Sequence, residues 1–279
     1  LASGFLTPSA NMDGEAFGLY AALANGTVVA FPAISQARMQ VIHNAADNAA
    51  AMVDIYLWNG DADELVIKLD DFEFRQATSF VDVPAGDSLA VIIAGPGSEN
   101  EGDQVVTTIP VGALANGGSY VVIANGLVTP GDYAANPDGI STAFELLVKD
   151  MARESAEGGS GVDFFALHGA TDAPTVDVIA RDVATLVDDA AYGDMTAYVS
   201  VPPASYILDV TPGSDNETIV ASFTADLSGL GGGAAVLFAS GFLSPADNKN
   251  GEAFGLFAAL PNGAVVGFPA YEEEIETAR

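Results

Sequence analysis

Apolar positions in this chain come in short runs rather than in helical stripes. The runs at 27–31, 39–42, 53–57, 89–93 and 119–124 are rich in β-branched and aromatic residues and are bounded by Gly, Pro, Asn or Asp, which predicts strands. Around Val53-Asp54-Ile55 the polar side chain alternates with its apolar neighbours, so Asp54 is expected on the face opposite theirs. Turn signals recur about every 8–12 residues, the spacing of a sandwich or barrel. Asn25-Gly26 and Asn262-Gly263 each sit between apolar runs, and Asn-Gly predicts a hairpin with a type I′ turn. Residues 150–157 could form a helical turn or two before Gly158-Gly159-Ser160-Gly161, which reads as a flexible linker. The chain reads as all-β.

The pattern also repeats. Residues 1–33 and 238–270 align without a gap at an offset of 237, with about 23 of the 33 positions identical, a repeat signal far stronger than a shared short motif. A weaker third copy starts at Gly118 and runs to Pro130, matching Gly233 to Pro245. The front of the unit recurs as well: Val41-Ile42-His43-Asn44-Ala45-Ala46-Asp47 is echoed by Ala166-Leu167-His168-Gly169-Ala170-Thr171-Asp172. The division that follows is an orphan tail at 1–35, holding the last strands of a preceding repeat, and a first sandwich at 37–152. A linker at 153–162, a second sandwich at 163–271 and a connector at 272–279 complete it. Both ends fall inside a periodic pattern, so the natural protein is expected to continue in both directions.

Composition narrows the chemistry. There are 38 Asp plus Glu against 8 Lys plus Arg, a formal net charge of −30. Such a surface repels phosphates and anionic lipid headgroups, so nucleic acid is not an expected partner. No membrane span is present in the segment by apolar run length. Cysteine is absent and only two histidines occur, which removes disulfides, thiol nucleophiles and cysteine-based metal sites. An acid-rich, lysine-poor surface suits brine, where self-repulsion is screened. A marine or halophilic source is therefore expected.

The segments 37–47 (Ala-Arg-x-Gln-Val-Ile-His-Asn-Ala-x-Asp), 53–57 (Val-Asp-Ile-Tyr-Leu) and 80–86 (Phe-Val-x-Val-Pro-Ala-Gly) resemble the DUF4397 family of bacterial secreted and surface proteins. The second unit departs at the last motif, with Pro203-Ala204-Ser205 in place of the usual Ala-Gly. The resemblance extends over nearly the whole chain and is similar to multi-copy versions in large surface proteins of the Bacteroidetes and relatives. It implies tandem immunoglobulin-like β-sandwich domains and an extracellular, cell-surface location. It implies no catalytic residues, since no activity is established for the family.

Two groups of residues could bind a metal. His43 with Asp47 and Asp54, and His168 with Asp172 and Asp177, occupy the same repeat position. A histidine with carboxylates could hold a divalent cation. The plainer alternative is an imidazole tying the loop after one strand to the turn before the next, with Asp47 or Asp172 bonding backbone amides. The acidic turn containing Asp247, Asn250 and Glu252 could supply oxygen ligands to calcium, or simply be solvated. It fits no EF-hand spacing. Ser3 and Ser240, in Ala-Ser-Gly-Phe-Leu, lack the Gly-x-Ser-x-Gly frame of a nucleophile elbow.

The expected function is a structural repeat segment of a long extracellular surface protein, a filament, stalk or adhesin, and not an enzyme. The alternative is a calcium- or glycan-binding accessory module of a secreted protein. No cofactor is expected apart from the calcium just considered. Residues 1–34 carry strand-forming apolar segments without a domain of their own. They are expected to pair with neighbouring repeats or with identical chains by strand complementation.

Overall fold

The computed structural model describes residues 1–6, 15, 17–31 and 35–273. Parts of the expected orphan tail (7–14, 16 and 32–34) and most of the expected connector (274–279) lie outside the described residues. The chain is all-β. Its tail forms a three-stranded sheet of β1 (Ala2–Ser3), β2 (Gly18–Ala22) and β3 (Val28–Phe31). The first sandwich follows with β4 (Gln36–Asn44), β5 (Met52–Asn59), β6 (Glu64–Glu73) and β7 (Val81–Pro84). It is completed by β8 (Ser88–Ala94), β9 (Val105–Ala113), β10 (Ser119–Asn125) and β11 (Glu145–Asp150). Its two sheets have the orders β11-β10-β4-β7 and β6-β5-β8-β9.

The second sandwich contains β12 (Val162–His168), β13 (Val176–Ala180), β14 (Ala184–Ala190), β15 (Val199–Val201) and β16 (Ser205–Pro212). Then come β17 (Ala221–Asp226), β18 (Ala234–Ser240), β19 (Gly255–Ala259) and β20 (Val265–Gly267). The orders β20-β19-β18-β12-β15 and β14-β13-β16-β17 repeat those of the first unit strand for strand, with β20 added. In both, one parallel pair lies inside otherwise antiparallel sheets: β4 with β10, and β12 with β18.

Each sandwich has its own core. Met39, Val41 and Val122 of one sheet meet Val53, Ile55, Leu57, Val91 and Ile93 of the other in the first unit. Phe164, Leu208, Val210, Phe223, Leu237 and Leu256 do so in the second. Alternation would leave the outer face of each sheet polar. Instead β12 and β18 are buried along their whole length, because their outer faces pack against those of β4 and β10. Ile42, Val121, Ile123, Phe165, Leu167, Val236 and Phe238 form this third apolar layer. The two sandwiches form a four-sheet stack, and β10, β12 and β18 read as near-continuous apolar runs because both of their faces are covered.

The stretch read as a flexible linker is bonded along its length, the Gly159 amide donating to the Ala156 carbonyl and the Gly232 amide to the Gly161 carbonyl. The connector is fastened to the second unit: Arg153 pairs with Asp163 and Glu157, both at 2.6 Å, and the Ala156 amide donates to the Gly232 carbonyl. No helical turn forms at 150–157; Met151 takes a positive φ directly after β11.

The expected hairpins are present, with a different turn. β2–β3 and β19–β20 are antiparallel. Only the glycine of each Asn-Gly pair has positive φ, Gly26 at 84° and Gly263 at 88°. A type I′ turn needs positive φ at both positions. Here a type I turn closes by Gly263 donating to the Leu260 carbonyl, and the glycine then supplies a left-handed step. Asn262 Oδ1 accepts from the Ala264 amide at 3.0 Å, and Asn25 Oδ1 from that of Thr27 at 3.0 Å. The asparagines therefore act through their side chains.

Candidate functional site

His43 is the penultimate residue of β4 and faces the first sandwich core, beside Phe72 and Phe74. Its Nε2 donates to the Ala50 carbonyl at 2.7 Å, and its Nδ1 accepts from the Ala45 amide at 3.3 Å. Both ring nitrogens are thus engaged with the loop that leads into β5. Burial pushes the imidazole down to about 4 against the weaker opposing pull of the Ala50 carbonyl, so it is neutral at ordinary pH. Asp47 caps the short 3-10 turn Asn48–Ala50 by accepting from the Ala49 amide at 2.9 Å. It also accepts from the Tyr133 hydroxyl at 2.8 Å and the Thr129 amide at 3.0 Å. Burial works to raise its carboxyl, but the bonds from Ala49, Thr129 and Tyr133 outweigh it and hold it below the usual range. Asp54 lies apart, accepting from the Asp71 amide and from both the amide and hydroxyl of Ser98.

The second unit repeats the arrangement. His168 Nε2 donates to the Pro174 carbonyl at 2.9 Å, and burial lowers its pKa. Asp172 accepts from the amides of Leu243 and Ser244 and from Asn248 Nδ2, all within 2.9 Å. Asp177 accepts from the Asp189 amide. In each unit the histidine fastens the first loop, and the aspartate joins that loop to the turn after the seventh strand. Among the described residues, no group of three or more His, Asp or Glu side chains converges as a metal shell would.

The turn proposed for calcium belongs to a junction between the two units. Asp247 ends a 3-10 turn, Pro245–Asp247. Asn250 takes a positive φ and donates its amide to the Pro245 carbonyl, and Glu252 lies 3.6 Å from Arg75 of the first unit. Lys249 pairs with Asp132 at 3.0 Å, and Asn248 Oδ1 accepts from the Ala134 amide. Tyr133 stacks on Phe242 with ring centres 5.6 Å apart.

Sequence reasoning missed the residues that fasten this junction. Arg75 donates to Ser240 Oγ, to the Ser240 carbonyl and to the Ala253 carbonyl, and its guanidinium lies over Phe257 at 4.2 Å. Gln40 donates to the carbonyls of Thr78 and Leu260. The available signal was a polar residue inside an apolar strand, Gln40 between Met39 and Val41. The Ala-Ser-Gly-Phe-Leu motif is also explained here. Gly241 has φ 83°, and a Cβ on it would overlap the Ala253 carbonyl and Arg75.

The two units differ at one place. In the first sandwich a cavity of about 710 Å³ opens between β9 and β11, lined by Val53, Ile55, Ile93, Ile109, Phe144 and Leu146. The corresponding space in the second holds about 60 Å³. There, β20 pairs with β19, Phe268 is buried in the core, and its amide donates to the Leu256 carbonyl. Residues 269–271 then bond along β17 through Thr224 to Pro269 and Tyr271 to Ser222. The first unit has no such closing segment: β9 pairs with β8 and β11 with β10, and their other edges are open among the described residues. Val105, Val106 and Val148 stand exposed at the opening.

Residues 164–246 match the model of the DUF4397 family, a domain of unknown function. No curated protein matches the chain in sequence. Among solved structures, it is similar to the Bacillus anthracis TIE protein at 10% identity and a TM-score of 0.21, covering 82% of this chain and 39% of that one. The chain thus spans about two fifths of that protein's length. It is also similar to a candidate cell adhesion protein of Bacteroides fragilis (10% identity, TM-score 0.17, covering 86% of this chain and 100% of that one). A third, from Bacteroides ovatus and described in the same terms, has 11% identity and a TM-score of 0.18, covering 87% and 100%.

Proposed function

We propose that this chain, which carries a DUF4397 domain over residues 164–246, is a non-catalytic structural segment of an extracellular surface protein, a stalk, filament or adhesin. One observation carries this reading: two sandwiches of the same strand order are joined through a shared apolar layer. A large hydrophobic interface fixes the relative position of two domains, where a small polar one would leave them mobile. The side chains that could have served chemistry, His43, Asp47, His168 and Asp172, are engaged in fastening loops. The acidic surface supports an origin in salt water.

Negative-stain electron microscopy of the native material, with intact mass measured on the same sample, tests the proposal. Long fibres with a regular axial repeat are expected. Isolated two-domain particles near 28.4 kDa would count against it.

A further inference from the structure

The slot in the first unit follows from that unit's own sequence. In the second unit the chain turns back after β19, and residues 265–271 close the space. In the first, Asp150 ends β11 and Met151 leads directly to residues 153–162, which are fastened to the second unit and do not fill the slot. Both copies of the closing pattern in this chain are already paired, β3 on β2 and β20 on β19. An occupant must be a segment that is unpaired before it docks.

The second unit shows what such a space takes. Phe268 is buried in the core and its amide donates to the Leu256 carbonyl, while Val266 stands opposite Ala258. Ala124 pairs with Leu146 as Ala239 pairs with Leu256. Leu146, Val148 and Glu145 therefore correspond to Leu256, Ala258 and Gly255. Ala258 is 1% exposed under its neighbouring strand, and Val148, without one, is 41% exposed. Two differences define the occupant further. Ile109 pairs with Val91 as Phe223 pairs with Leu208, so Pro110 stands at the position of Thr224. Thr224 donates its amide to Pro269; a proline has none to give, so the main-chain bonds fall on β11 rather than β9. Glu145 lines the mouth of the cavity, and among the described residues no Arg or Lys pairs with it.

We propose that the slot binds an extended segment of another protein, added antiparallel to β11, with an aromatic side chain in the cavity and a lysine or arginine directly after it. In this register an apolar, a small, an aromatic and a basic residue stand opposite Val148, Leu147, Leu146 and Glu145 in turn. Directly opposed residues share a face of the sheet, so the basic side chain meets the Glu145 carboxylate. Strand addition satisfies the free edge of β11 with main-chain bonds, and the aromatic pocket sets the register. A net charge of −30 on this chain favours a basic partner over an acidic one.

The proposal goes beyond the structural-segment reading and has its own test. The full chain is titrated into a fluorescein-labelled peptide, Ala-Val-Val-Gly-Phe-Lys-Ala, at about 0.1 M salt, where the Debye length is about 10 Å. Saturable binding by fluorescence anisotropy is expected, weakened about tenfold or more when the peptide's phenylalanine is replaced by aspartate. By the second unit's pairing the Val148 amide faces the open edge. Val148→Pro removes it at a position where an edge strand tolerates proline, and should abolish binding with the thermal midpoint unchanged. Glu145→Lys, an exposed substitution, should weaken the lysine peptide about two- to fivefold and strengthen a glutamate version by a similar factor, the size of one cross-strand ion pair. Equal binding of the aspartate peptide, or a lysine preference that survives Glu145→Lys, would overturn the proposal. So would a dimer of the chain that excludes the peptide, which would make the occupant a second copy, or a cavity that takes up decanoate and not the peptide. Fibres seen by microscopy without peptide binding would remove this site and leave the structural-segment reading standing.

Discussion

His43 is a titratable group held where its charged form is unwelcome, and that gives it a readable signature. Its folded-state pKa of about 4 lies below the ordinary histidine value of about 6.5. The unfolded chain therefore binds the proton first. Stability from this residue is fully present above about pH 6.5 and is lost as pH falls toward 4, by up to about 3 kcal/mol. Urea midpoints measured at pH 7.5 and 4.5 should fall in the parent chain, and the fall should be smaller in His43→Gln. Asp47 acts in the lower window, since its depressed carboxyl contributes stability that is lost only as pH drops below the usual carboxylate range. Asp47→Ala leaves the Tyr133 hydroxyl and two amides without their acceptor, and is expected to cost about 2–4 kcal/mol by urea denaturation. Both residues stood out in the sequence through their repeated spacing, and loop fastening was one of the two roles open to them. The distant partners of Asp47 were hidden, because Thr129 and Tyr133 lie more than eighty positions away.

At the scale of elements, strand identity was legible and strand environment less so. Short β-branched runs between turn residues marked β3, β4, β5, β8 and β10. The run lengths carried a second message that local patterning alone does not decode. Phe164 and Phe165 are adjacent on β12 and point to opposite faces, one into the second core and the other into the layer shared with the first unit. An unbroken apolar strand signals cover on both faces, but it does not say what the cover is. The turns after β10 and β18 depend on glycine. Gly126 has φ 94°, and a Cβ there would press on the carbonyls of Thr142 and Ala143. Gly126→Ala should therefore lower stability by about 1–3 kcal/mol, measured by thermal or urea unfolding.

For the whole molecule, the few cations are concentrated at fastenings. Arg153 ties the connector to Asp163 of the second unit, Arg75 and Lys249 bridge the two units, and Lys149 donates to the Thr196 carbonyl of the second. That placement leaves the solvent-facing charge overwhelmingly acidic. The thermal midpoint should rise as NaCl is taken from about 0.01 M to about 1 M, where the screening length shrinks from about 30 to about 3 Å. A midpoint that fell over that range would contradict the brine reading. The shared layer should also make the two sandwiches unfold together, as one calorimetric transition. Phe165→Ala empties a fully buried position in that layer and should cost about 3–5 kcal/mol, lowering the common midpoint.

The parallel pairing of β4 with β10 has a mechanical consequence. Met39 and Asp150 both flank Tyr120, so the chain enters and leaves the first sandwich at one end of the same sheet, two strands apart. Tension between those points acts across the strands and opens the ladder one rung at a time, rather than shearing every rung at once. A stalk made of such units would lengthen under modest load and absorb a sudden pull.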